Sequence, residues 1–183
     1  MIGSEARSGG WRRTAGALAL AIGGAALAAT PAAPLDQGGC VEEAMTVRVS
    51  ETLARRAGVL AEEASSWTLA GELMLEAAAL RPECSPERHA GLRTAARYFR
   101  FAGAFGRASD ASYEAGEHCV WNGHVSEAAE AFIESATYAQ EAGDDARRVK
   151  AAEHASRLAE SPHLTYAQRI SIRGRADRLL TDG

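Results

Sequence analysis

Material for β-sheet is scarce in this chain. Only 12 of its 183 residues are Val or Ile, and aromatics make up 6%. Pleated strands draw heavily on both groups, so an ordinary sheet is excluded. Cysteine is limited to three residues and proline to five, which rules out a disulfide-dense scaffold. No long basic run occurs and the net charge is −4, which argues against nucleic acid as a partner. Glycine-rich phosphate loops and a G-x-S-x-G nucleophile turn are absent. Alanine, by contrast, supplies more than a fifth of the chain, and the hydrophobic share is 46%. That is too apolar for wholesale disorder, and it predicts an all-α protein.

Residues 1–28 read as a signal peptide. Glu5, Arg7, Arg12 and Arg13 give the stretch from Met1 to Arg13 a net charge of +2, and the uncharged run that follows, Thr14 to Thr30, ends in small side chains. Basic, apolar, small is the order that secretion requires. Ala26-Leu27-Ala28 supplies the cleavage pattern and sets the cut after Ala28. The competing reading is a permanent anchor, but a helix over Thr14 to Thr30 reaches only about 26 Å against a hydrocarbon core of about 30 Å. An exported protein is expected, periplasmic or extracellular, touching the inner membrane only through an uncleaved signal segment. Arg12-Arg13 lacks the large apolar residue that usually follows a twin-arginine pair, and Gln37-Gly38-Gly39 lacks the aliphatic residue a lipobox places before a cysteine such as Cys40.

Residues 29–40 carry two prolines and two glycines with no apolar period and read as a flexible tether. The ordered domain is expected over 41–183. Breakers at Ser65-Ser66, Arg81 to Pro86, Ser109-Asp110, Asn122-Gly123, Gly143-Asp144 and Ser161-Pro162 divide it into seven helices, near 41–64, 67–81, 86–108, 110–122, 126–142, 145–160 and 165–180. Ser85, Ser126 and Thr165 stand where helix caps are needed. The alternation Thr46-Val47-Arg48-Val49 leaves the start of the first helix open, with Ser50 as a second cap position. Removing residues 1–28 leaves a net charge of −6, with 9 basic and 18 acidic residues from Val41 to Asp145 but 8 basic and 4 acidic beyond. An acidic body with a basic end is consistent with self-association or an anionic partner, or simply with a solvated surface.

Short connections make helical hairpins, and hairpins call for a search for repeats. Gly58 is followed by Ala70, Met74, Ala77 and Pro82, and Gly116 by Ala128, Phe132, Ser135 and Ala136. At these two places, about 51–84 and 109–142, the chain resembles the tetratricopeptide-repeat family. The tryptophan, leucine and tyrosine of that family's first helix are missing. The two matches are offset by 58 positions, not a multiple of 34, with one long helix over about 85–108 between them. The resemblance implies a short solenoid of antiparallel hairpins in which small residues allow close helix approach, Met74 and Phe132 fill the groove, and the last two helices form a polar cap.

Such arrays bind other proteins or peptides on the first helix of each hairpin. In the first match that row is Arg55, Val59 and Glu62, and in the second Tyr113, Glu117 and Val120. The competing possibility is that the two valines pack inside and the charges are merely solvated. Within the long helix, Tyr98, Phe101, Ala102 and Phe105 form an apolar stripe that reads as core. An antiparallel first hairpin would bring Cys40 and Cys84 to the same end, predicting a disulfide across a loop of roughly 45 residues worth on the order of 4 kcal/mol. Cys119 reads as a small buried side chain. His118 and Cys119 are neighbours about 100° apart on a helix, unsuited to a nucleophile and base. With His124, Cys84 and His89 they show no C-x2-C or i, i+4 ligand spacing. Neither enzymatic activity, a cofactor nor a metal is therefore expected. The reading is an exported helical-repeat scaffold for a protein or peptide. Its alternative is a compact helical bundle with a small-ligand, metal or enzymatic site around Tyr98, Phe105 and Cys119.

Overall fold

The computed structural model describes residues 37–63, 66–83 and 85–181, with side chains from Met45 onward. Seven α-helices account for nearly all of them: α1 (Gln37–Glu62), α2 (Trp67–Ala79), α3 (Pro86–Phe101), α4 (Phe105–Trp121), α5 (Val125–Glu141), α6 (Asp145–Leu158) and α7 (Tyr166–Thr181). No strand occurs among the described residues. All seven belong to one unit, Asp36–Gly183. The expected signal peptide and most of the expected tether lie outside the described residues. So does the expected Cys40–Cys84 bridge, because neither sulfur is described. Helix α1 starts at Gln37, inside the stretch read as tether, and runs through 46–49 without a strand.

Each helix packs against the next in sequence, and α5 also meets α7. Two of the expected caps form. Ser85 accepts a hydrogen bond from the Arg88 amide, with Pro86 opening α3. Thr165 accepts from the Gln168 amide at 3.3 Å while the Gln168 side chain accepts from the Thr165 amide at 2.9 Å, a reciprocal capping box. Ser126 does not cap α5. The helix starts at Val125, and the Ser126 hydroxyl instead accepts from Gln168 of α7 at 3.2 Å. Asp144, read only as a breaker, caps α6 through the Arg147 amide at 3.0 Å.

The third helix is shorter than the expected 86–108: it ends at Phe101, α4 begins at Phe105, and the expected breaker Ser109-Asp110 lies inside α4. Gly103, Gly123 and Gly143 all adopt positive φ, near +70°, and recur at equal spacing along the chain. At each, the glycine amide and the next amide bond back to the carbonyls of the ending helix, as in Gly103 to Arg100 at 2.9 Å and Ala104 to Phe99 at 2.8 Å. This Schellman closure stops the helix and returns the chain within a short turn. Because Gly103 ends α3, Ala102 and Phe105 do not extend the stripe begun at Tyr98. Phe101 is 58% exposed. The buried face of α3 is Leu92, Ala95, Ala96 and Phe99, the same period in a different phase.

Alanine lines most helix contacts: Ala57, Ala70, Ala95, Ala108, Ala115, Ala128, Ala136, Ala151 and Ala155 are fully buried. Two phenylalanines fill the space that such small residues leave. A Cβ on Gly71 would fall 2.6 Å from the ring of Phe99, and one on Gly116 would fall 2.8 Å from the ring of Phe132. The phenylalanine-on-glycine contact thus joins α2 to α3 and α4 to α5. Gly58, expected to be a close-approach position, has nothing within 4 Å of its Cβ direction. Its neighbour Ala57 packs with Ala61 and Ala70 instead. Met74 is partly buried beside Phe99 and Ala70.

Candidate functional site

The ends of α3 and α4 gather the chain's most distinctive chemistry. His89 lies in the first turns of α3, and His118 and Cys119 in the last turn of α4. Antiparallel packing brings them together: Cys119 Sγ stands 3.1 Å from His89 Nδ1, and the two imidazoles stack with centroids 6.5 Å apart and planes 15° from parallel. One ligand-capable atom from each of the three residues lies within 4.8 Å of the others. Cys119 is buried, and both histidines are half-buried.

Burial pushes His89 below its ordinary value, offset in part by the Ala115 carbonyl and reinforced by the Arg93 and His118 charges. Burial likewise lowers His118, with the Glu83 carbonyl opposing. The Cys119 thiol is pushed up to about 11, first by burial and then by the Glu127 carboxylate. Near neutral pH the trio is therefore two neutral imidazoles and a protonated thiol in contact with His89 Nδ1. A buried thiol held in its protonated form is a poor nucleophile.

Two hollows share His118 and Asn122 in their linings. The smaller, about 200 Å³, is lined by Pro86, His89, His118, Cys119, Asn122, His124 and Glu127. The larger, about 430 Å³, is lined by Glu83, Arg88, Glu114, Glu117, His118, Trp121 and Asn122. Its rim carries Trp121, which is 89% exposed. Asn122 braces the wall between them, donating to the His118 carbonyl at 2.8 Å and to the Glu83 carbonyl at 3.3 Å. Arg88 reaches Glu114 across α3 and α4 at 3.6 Å, leaving Glu83 and Glu117 to make the hollow acidic.

The residues expected to bind fall at three places. Glu117 lines the larger hollow, and exposed Val120 lies beside Trp121 on the same helix. Tyr113 points the other way: its ring packs against Phe132 at 5.1 Å, and its hydroxyl lies 3.1 Å from His154 Nε2. Arg55 and Val59 are exposed on α1. Glu62 lines a separate hollow of about 400 Å³ with Gly58, Trp67, Tyr98 and Phe101, where Trp67 packs on Tyr98 at 5.7 Å and on Phe101 at 5.1 Å. Tyr98 and Cys119 of the alternative site belong to different clusters. Sequence spacing does not unite His89 with Cys119, because ligands that meet across a hairpin, here 30 residues apart, have no local period.

No protein-family model, no curated protein and no solved structure matches this chain.

Proposed function

We propose that this protein is an exported helical-hairpin scaffold that binds a polypeptide segment at the hollow beside Trp121. The observation that carries the reading is the near-complete exposure of Trp121 at the rim of a hollow made acidic by Glu83 and Glu117, with Glu114 paired to Arg88. An exposed tryptophan costs hydration free energy unless a partner covers it, and tryptophan is over-represented among residues that dominate interfaces. The acidic wall favours a segment bearing arginine or lysine next to an apolar side chain. The basic end of a second copy is one source of such a segment.

Support for a short tetratricopeptide-like solenoid comes from the repeated phenylalanine-on-glycine contact and from the equal spacing of the turn glycines. Pairing the helices in that phase gives the hairpins α2/α3, residues 67–101, and α4/α5, residues 105–141, which span 35 and 37 residues, close to the family's 34. Only the match at Gly116, Ala128 and Phe132 has that phase. The match at Gly58 pairs α1 with α2, one helix out of step. Export rests on the order of charge and apolarity in residues 1–28, and no described helix is long and apolar enough to cross a membrane.

Photocrosslinking in intact cells tests the reading. With benzoylphenylalanine at position 121, we expect an adduct to a second polypeptide, absent when the same group replaces exposed Glu141. No adduct at 121, or equal adducts at both positions, contradicts it.

A further inference from the structure

We propose that His89, His118 and Cys119 form a binding site for a transition-metal ion of the zinc class, with its fourth coordination position open to the hollow at Glu127 and His124. Two imidazole nitrogens and one sulfur are donors that zinc, cobalt and copper accept and that calcium and magnesium refuse. Around tetrahedral zinc, bonds of about 2.0–2.3 Å place donor atoms about 3.5 Å apart. The three donors here lie within 4.8 Å of one another, so side-chain shifts of about 1 Å bring them to that spacing.

A second observation points the same way. His118 Nδ1 is buried and has no hydrogen-bond partner, an arrangement that costs free energy unless something occupies the position. A metal ion does so without a proton. The supporting groups are in place as well. Carbonyls of Ala115 and Glu83 lie against the rings of His89 and His118, and such carbonyl partners fix a ligating imidazole's orientation. On binding, the Cys119 proton passes to solvent and the thiolate sulfur replaces its contact with His89 by a bond to the metal. His124 and Glu127, both exposed on the open side, leave room for water or for a donor from a bound molecule at the fourth position.

The site is independent of the partner reading and is tested without any partner. The full chain, reduced and freed of metal, is titrated with cobalt(II) and then with zinc(II). We expect one cobalt per chain, a sulfur-to-cobalt charge-transfer band with the intense visible bands of a tetrahedral site, and displacement by zinc. Cys119→Ser is expected to abolish the sulfur band, and His89→Gln and His118→Gln to weaken zinc binding by at least about 100-fold. Changing Cys40 and Cys84 together to serine should leave the band intact. If Cys119→Ser fails to fold, the two histidine variants carry the test alone. A weak octahedral spectrum, a band that follows Cys40 or Cys84, or zinc affinity unchanged in both histidine variants overturns the proposal.

Discussion

The ring of Phe132 lies so close over Gly116 that a methyl group there would stand 2.8 Å from its Cε1. The ring has nowhere to retreat. It is 1% exposed and held by Tyr113 at 5.1 Å and His154 at 5.0 Å. Gly116→Ala therefore overpacks the α4/α5 contact, at about 1–3 kcal/mol, and regains about 1 kcal/mol of helix propensity. Strain wins, and the melting temperature falls by about 2–4 °C for each net 1 kcal/mol. Gly58→Ala faces open space inside a helix and is expected to stabilise by about 0.5–1 kcal/mol. Thermal melts of the two variants should move in opposite directions. Equal shifts would mean that the two glycines are equivalent after all.

Arg148 ties the last helix down. It is 4% exposed, its Nε donates to Asp145 at 3.1 Å, and its Nη1 donates to the carbonyl of Leu179. The fully covered anchors of α7 itself are only Ile172 and Ala176. Arg148→Met keeps the aliphatic stem but removes both hydrogen bonds, and loss of the charged one to the Leu179 carbonyl alone is expected to cost about 1.5–3 kcal/mol. Amide exchange should speed up selectively near Leu179, with α4 and α5 unaffected. Uniform acceleration across the domain would show that α7 is not a separate opening unit.

Acid should act through His154. Burial lowers its pKa, and the charges of Arg157 and Lys150 add to that, while Glu153 opposes them. A histidine whose folded value lies below its unfolded one binds protons less readily in the folded state. Its contribution is intact above about pH 6.5 and is lost as the pH falls through the folded value. His154→Gln retains a partner for the Tyr113 hydroxyl and removes the titration. The stability difference between His154→Gln and the parent, read by urea melts, should grow in favour of the variant as the pH is lowered below about 6.5. A difference independent of pH would refute this.

Much of the helical frame is legible in the amino-acid order because its punctuation is local. Asn122-Gly123 and Gly143-Asp144 stop helices by their own backbone preferences, and Ser85-Pro86 starts one. Gly103 is hidden because alanines flank it on both sides, and their propensity carries a helix through the turn; its equal spacing with Gly123 and Gly143 is the signal that marks it. The Gly58 match arises from alanine's abundance, which supplies small residues at any chosen spacing. Tyr98 and Phe101 show the right period but not the buried phase, since Phe99 is chosen by what Gly71 leaves open on the facing helix. The His89 and Cys119 contact depends on how two helices meet end to end, which no single-helix spacing records. Residue type alone does not tell a core tryptophan from a rim one, and Trp121 is 89% exposed. Only the absence of a described neighbouring helix over it makes it a rim.

Selection of displayed random peptides on the full chain, with their affinities measured by calorimetry, shows whether the acidic hollow beside Trp121 receives a basic polypeptide segment. Enriched peptides are expected to carry arginine or lysine beside an apolar residue. Their affinity should fall about 30-fold or more in Trp121→Ala, the loss expected of an interface hot spot, and by less in Glu117→Gln. Peptides without basic residues, or affinities indifferent to Trp121→Ala, would contradict it.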